Sequence, residues 1–489
     1  MNLTSPTDVP IEVIDVTSIE HEDASSYASL SLSLGVLLVG LMISHWLKVR
    51  KSLMPPSVVL IGLSAALGIA MRGSETTAYS IESVLTFDSA FFFAVILPPI
   101  IFQTGYGLRL SPFRGEVLTV ACAAFVCTML TATVSATILY EATQRYGTFR
   151  MSRFETWILS AIVCSTDPVA VAPLFRQAQV PKHVYAFVMG ESALNDVVSV
   201  VMYRFLMTMY RDTGGAPFKG GSMLFWDGMF DGVLSLLGSV CIGVTMSAIV
   251  TVIASRATFW AEVGEEMLMA QLLVWPYWCY GICEVTGCSG IVGILVCGLL
   301  MARYLTPVLT QQLRSAYAMV TSMLAHTMET FVSIYFGMAL SSYNAQTLGP
   351  HTLGYAGLAA ATIVLTRGTA VTVLCGLMNC CRRSETRFTA RQQFVVWASG
   401  LRGSIAFALV GSTHRAIQNV QLVHVMEVAT ITVTLVTIGF GVIGVPLGLK
   451  GMRCHKSTEL PHTTCCERCE HRCLLPLLHQ LQEAAPAGQ

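Results

Sequence analysis

The chain has 489 residues, 54% of them hydrophobic and 12% charged, with 29 basic and 29 acidic side chains in formal balance. Soluble domains carry about 25% charged residues, so a disordered chain, a nucleic-acid binder working through a basic surface and an extracellular disulfide scaffold all fit poorly. An all-α polytopic membrane protein fits, and at about 20 apolar residues per span the composition allows roughly a dozen spans.

Residues 1–27 contain Asp8, Glu12, Asp15, Glu20, Glu22 and Asp23 but no Lys or Arg. That is unlike a cleavable signal peptide and reads as a short solvated luminal or extracellular segment. Apolar runs between charged punctuation then predict thirteen spans, near 28–47, 56–73, 87–104, 115–141, 154–176, 183–209, 224–255, 259–285, 287–303, 317–341, 351–379, 392–413 and 422–449. Pro98 and Pro99 break the third, and Gly287 divides the eighth from the ninth. Residues 28–449 therefore form one transmembrane domain, and 450–489 form a short Cys-rich tail. The odd-numbered connections hold 19 of the 29 basic residues, the even-numbered ones eight, and two, Arg367 and Arg402, lie inside spans. This asymmetry puts the N-terminus outside or in the lumen and the C-terminus in the cytosol.

Most of the 16 cysteines, such as Cys122, Cys127, Cys164 and Cys297, sit in apolar runs as small core residues. The tail groups Cys465, Cys466, Cys469 and Cys473 near His462 and His471. Zinc binding, acylation (there and at Cys380 and Cys381) and plain thiols are all open readings. No cofactor is implied, and no metal beyond a transported monovalent cation.

A charge at the bilayer centre costs at least about 2.5–3.5 kcal/mol, so each ionisable group within a span needs a reason. Span five carries Ser165-Thr166-Asp167-Pro168. Proline removes a backbone donor and disfavours helix in the residue before it. One reading is a kink with Asp167 as a local cap; the other is a discontinuous helix whose ends and carbonyls form part of an ion site. Span six carries Gly190-Glu191-Ser192-Ala193-Leu194-Asn195-Asp196, where helical spacing stacks Ser192 with Asp196 and Glu191 with Asn195. Glu191 and Asp196 point about 140° apart at about 3.6 residues per turn, so their roles differ. Arg367 in span eleven is the counter-charge for Glu191, since arginine forks onto carboxylates. Asp196, beside Asn195, is then the exchangeable carboxylate. Arg402 sits in Gly400-Leu401-Arg402-Gly403, a glycine-interrupted span that corresponds to span five, and paired interrupted spans point to a transporter site. Asp88 reads as a cap. Glu284 and Glu329 either line an approach path or bond between helices, and Glu427 has no assigned role.

These residues resemble the eukaryotic sodium/proton exchangers of the monovalent cation/proton antiporter superfamily. The motifs are Leu97-Pro98-Pro99-Ile100-Ile101-Phe102, Thr166-Asp167-Pro168-Val169, Gly190-Glu191-Ser192 with Asn195-Asp196, Glu329-Thr330-Phe331 and Gly400-Leu401-Arg402-Gly403. Tyr185 to Gly190 and Ile100 to Tyr106 look closest to the endosomal and organellar branch, which favours an endomembrane (endosome, Golgi or vacuole) over the plasma membrane. The short tail departs from the long regulatory region of animal plasma-membrane members.

The resemblance implies an antiporter fold of about thirteen spans with inverted repeats and broken crossing helices. It also implies a homodimer in the lipid bilayer and a core domain moving against a dimerisation domain in an elevator-like cycle. Asp196 would bind cation or proton with Asn195, Asp167 and Thr166 beside it, in the helix broken at Pro168. Glu191 with Arg367 would be the structural ion pair, and Ser192, Arg402 and Glu329 motif residues. The expected activity is electroneutral exchange of Na+ or K+ for H+, with no nucleic-acid partner and no enzymatic step; a cation channel is the alternative.

Overall fold

Inside a bilayer only a helix satisfies the backbone donors and acceptors of a single segment, and the described parts of the predicted spans are accordingly mostly helical. The computed structural model describes residues 16–50, 56–71, 91–108, 117–146, 150–166, 175, 180–213, 221–259, 264–341, 349–381, 387–414, 417 and 419–449. Among these are fourteen α-helices: α1 (Val16–Val49), α2 (Pro56–Met71), α3 (Leu97–Gly107), α4 (Val117–Tyr146), α5 (Arg153–Cys164), α6 (Lys182–Thr213), α7 (Gly221–Phe259), α8 (Glu265–Val285), α9 (Gly290–Leu300), α10 (Gln311–Ser341), α11 (Pro350–Cys381), α12 (Ala390–Ala398), α13 (Ser404–Thr413) and α14 (Val420–Leu449). Thirteen predicted spans become fourteen helices because span twelve is two pieces, α12 and α13. Helices α4, α6, α7, α11 and α14 are each long and apolar enough to cross a membrane. Large apolar side chains face outward, among them Leu38 and Met42 on α1 and Phe230 and Leu234 on α7, as a lipid-facing surface requires.

The third span departs from expectation. Pro98 and Pro99 do not break it: a π-helical turn, Phe92–Ile96, leads directly into α3, whose second and third residues are the two prolines. A missing N–H is harmless at a helix start, and the wider turn absorbs the change of register. The division at Gly287 is as predicted. Gly287 has φ 73°, Cys288 N–H donates to Cys283 O at 2.8 Å and Gly287 N–H to Glu284 O at 3.2 Å, the paired bonds by which a left-handed glycine ends a helix.

The helices pack as two groups. One holds α1, α2, α3, α7, α8, α9 and α10; the other holds α4, α5, α6, α11, α12, α13 and α14. Packing between them is sparse, mainly α10 against α13 and α6 against α7. The second group contains both interrupted spans, and the two are built alike. Helix α5 opens with a capping box, Ser152 with Glu155, and stops after 12 residues at Cys164. Helix α12 opens with a capping box, Thr389 with Gln392, and stops after 9 residues at Ala398. A capping box satisfies two orphan donors at a helix start, so each half-helix is anchored at its N-terminal end; α12 is also closed at its C-terminal end, where Ser399 N–H donates to Val395 O at 2.8 Å and Gly400 N–H to Trp397 O at 3.2 Å. Asp88, Asp167, Pro168, the N-terminal acids up to Asp15 and the tail cysteines and histidines lie outside the described residues.

Candidate functional site

The open end of α5 meets α6. Asp196 and Asn195 are buried in the middle of α6, and so are Ser165 and Thr166 in the extended segment after α5. Asp196 Oδ1 accepts the Ser165 hydroxyl at 2.6 Å and the Thr166 backbone N–H at 2.9 Å. Hydrogen bonds to a carboxylate are the strong kind, about 1.5–3 kcal/mol each. The neighbouring amide is fixed at both ends. Asn195 Nδ2 donates to Thr166 Oγ1 at 3.0 Å, and its Oδ1 accepts the Thr128 hydroxyl from α4 at 2.5 Å. Ser192, one turn before Asp196, donates to Thr166 O at 2.8 Å and lies 3.0 Å from Thr166 Oγ1. The stacking of Ser192 on Asp196 read from the sequence therefore serves one purpose: both hold the break after α5.

Glu191 points elsewhere, as its helical angle requires. Arg367 Nη1 and Nη2 donate to Glu191 Oε1 and Oε2 at 3.1 and 3.0 Å, with side-chain exposures of 5% and 2%. This pair joins α6 to α11. A side chain at Gly400 would collide with the Arg367 guanidinium, so the first glycine of the α12–α13 break is what gives Arg367 room.

Arg402 crosses in the opposite direction. Fully buried, its Nη1 donates to Cys164 O and, at 3.0 Å, to Ser165 O, while its backbone N–H reaches Thr437 Oγ1 on α14 at 3.3 Å. The last carbonyls of a helix have no intrahelical partner and carry partial negative charge. A cation from the break of one interrupted span thus caps the broken end of the other. Among the described residues, the two buried arginines are committed to Glu191 and to the end of α5, and the carboxylate placed at the break is that of Asp196.

Glu329 is not brought to this group. It stands on α10, its carboxylate 3.9 Å from His326 Nδ1, and His326 Nε2 is in turn 3.0 Å from Ser44 Oγ on α1. Glu284 bonds between helices: Arg204 Nη1 on α6 donates to its two oxygens at 2.8 and 3.0 Å, and Gly290 N–H at the start of α9 donates to Oε1 at 3.0 Å. Sequence reading missed Thr128 and Ser165 as partners of the site. Ser165 adjoins a motif and was within reach; Thr128 is one of several threonines in an apolar helix, with no pattern to set it apart.

The family profile described as "Sodium/hydrogen exchanger, transmembrane" matches residues 33–450. The chain is 26% identical over 448 residues to Sodium/hydrogen exchanger 5 of Arabidopsis thaliana, covering 89% of this chain and 82% of that one. It is likewise 26% identical over 444 residues to Sodium/hydrogen exchanger 8 of Rattus norvegicus, covering 89% and 74%. The fold is similar to that of the sodium proton antiporter MjNhaP1 from Methanocaldococcus jannaschii, with a TM-score of 0.68 at 13% identity over 87% of this chain and 99% of that one. These three are named as exchangers or antiporters, and none as a channel.

Proposed function

We propose that this chain, which belongs to the sodium/hydrogen exchanger family, exchanges sodium for protons across an endomembrane at Asp196. The observation that carries this is the carboxylate of Asp196 set at a helix break inside the membrane, with the Ser165 hydroxyl and Thr166 N–H on one oxygen.

Proton and cation compete for the same carboxylate, since a protonated oxygen no longer offers a monovalent cation its charge. Asn195 holds the break in shape without adding a second charge, so the site carries the same net charge with either ion and the cycle is electroneutral. A second titrating carboxylate in its place would couple transport to voltage at about 2.3 kcal/mol per elementary charge per 100 mV. Asp167 belongs to the same proposal as a neighbour of the site along the broken segment. Sparse packing between the two helix groups supports an elevator-like movement of the group holding Asp196 against the other. A homodimer and transport of potassium are part of the proposal on the strength of the resemblance.

In proteoliposomes holding the full chain, a sodium gradient should drive proton movement that is unaffected by a clamped potential, and Asp196→Asn should abolish it. Undiminished flux in that variant overturns the assignment. Potassium and lithium tested in parallel give the selectivity.

A further inference from the structure

An ion pair away from Asp196 joins the two helix groups. On α6, Arg204 Nη1 donates to both carboxylate oxygens of Glu284 on α8, at 2.8 and 3.0 Å. Its guanidinium also lies 5.7 Å from the centre of the Phe93 ring, in the π turn ahead of α3, and faces the Tyr280 hydroxyl on α8. These partners all belong to the group that lacks Asp196. By contrast, Glu191 with Arg367, Glu329 with His326, and Glu427 with His414 and His424 each pair within one group.

The receptacle for Arg204 is shaped in advance. Gly290 N–H at the start of α9 donates to Glu284 Oε1 at 3.0 Å, and a side chain at Gly290 would collide with that oxygen and with the Tyr280 ring. The carboxylate is thus held in place by its own group and presented to α6. A cation within about 6 Å of an aromatic centre is attracted by the ring, so Phe93 adds to the hold on the guanidinium.

We propose that Arg204 and this receptacle form a latch that keeps the luminal side of the exchanger shut in one of its two transport states and parts in the other. The proposal rests on the exchange reading and on movement of one helix group against the other. Arg204 lies eight residues beyond Asp196, about 12 Å along α6 at about 1.5 Å per residue, toward the connection that the basic-residue asymmetry puts in the lumen. Glu284 lies three residues before the turn at Gly287, which the same asymmetry puts on that side.

A slide of one group past the other by a single helical turn, about 5.4 Å, carries a bond of 2.8 Å out of ion-pair reach. The latch is therefore made in one state only. The contact of α10 with α13 behaves differently: Phe336 meets Phe407 edge to face with centroids 4.7 Å apart, and apolar burial, being non-directional, persists as the groups slide. Exposure also suits a pair that parts. Arg204 and Glu284 are each 34% exposed, so water can replace the partner of each. Glu191 and Arg367, at 2% and 5%, could not separate without stranding a buried charge.

The latch then sets how often Asp196 is offered to the lumen. A site that is competent for a fraction of the time binds with an affinity reduced by that fraction. Losing the pair tightens sodium binding from the lumen and leaves binding from the cytosol close to wild type, whereas damage to the site weakens both. The expected shift lies between the worth of an exposed pair and that of a charge-assisted hydrogen bond, about three- to tenfold.

The test is the half-saturating sodium concentration for exchange, measured from each side of proteoliposomes holding the full chain in one orientation. Arg204→Gln and Glu284→Gln, the latter keeping an acceptor for Gly290 N–H, should each lower the luminal value about three- to tenfold and spare the cytosolic one. Arg204→Lys should fall between Arg204→Gln and wild type, because one nitrogen serves both oxygens here and an ammonium can do the same. Equal changes on the two sides, no luminal shift in either Gln variant, or Arg204→Lys no nearer wild type than Arg204→Gln overturns the latch. Independently of flux, amide hydrogen exchange at the luminal end of α6 and at the α8–α9 turn should quicken in both Gln variants and return toward wild type in Arg204→Lys; unchanged protection overturns the latch. That protection pattern in a protein without sodium-driven proton flux would overturn the exchange reading alone.

Discussion

Removing Arg367 should be far more damaging than removing Glu191 and Arg367 together. The pair is joined by two hydrogen bonds of 3.0 and 3.1 Å between side chains that are 5% and 2% exposed. Arg367→Met leaves a carboxylate that water cannot reach, and stranding one member of such a pair costs about 3–5 kcal/mol. Glu191→Leu strands the guanidinium and should cost about the same. The double variant places two apolar side chains of similar length in contact and should lose less than about 1.5 kcal/mol. The coupling energy, double minus the sum of singles, is then several kcal/mol in magnitude, well outside the few tenths expected for independent sites. Unfolding by sodium dodecyl sulfate titration in mixed micelles, followed by tryptophan fluorescence, measures all four corners of the cycle. Single variants each costing under about 1 kcal/mol, the range of exposed pairs, or a double variant equal to their sum, would refute the view that this is a desolvated structural pair.

Three further outcomes follow from the same geometry. Arg402→Met removes the nitrogen that donates to both carbonyls at the end of α5; losing charge-assisted bonds of about 1.5–3 kcal/mol each should slow exchange by about tenfold or more, read as initial proton flux with unchanged protein per vesicle. Thr128→Val removes the donor on Asn195 Oδ1 and leaves a buried acceptor without that bond, about 1–3 kcal/mol, so the apparent sodium affinity should fall several-fold in the same assay. For pH, the folded pKa of His414 is raised by its bond to Glu427. A raised value in the folded state means stabilisation that is fully present below the ordinary 6.5 and is lost as pH rises through the raised value. Wild type should therefore melt at a higher temperature at pH 6 than at pH 8, by a margin that Glu427→Gln reduces.

The apolar runs and the scarcity of charge were enough to determine that the chain spans a membrane many times, roughly where each span lies, and which groups inside the spans need partners. Few acids within the apolar runs, with Arg367 and Arg402 as the basic residues that needed a reason there, left little freedom, which is why Glu191 with Arg367 could be paired from sequence, and why the breaks at Ser165 and Gly400 were visible through proline and glycine. The third span could not be settled that way, because two prolines are compatible with either a break or a helix start, and only the preceding π turn selects the latter.

Other features depend on which helices become neighbours. Arg402 is marked by sequence as an anomaly, but that its guanidinium caps the open carbonyls of α5, 237 residues away for Ser165, follows from the crossing of two half-helices. Thr128 becomes part of the site only because α4 packs against α6. His414 and Glu427 are 13 residues apart on either side of a turn, with no periodic relation to connect them. Composition and periodicity report the solvent each residue prefers. Long-range pairing of polar groups is a property of packing, because in a low-dielectric interior each such group must find whichever partner the fold brings to it.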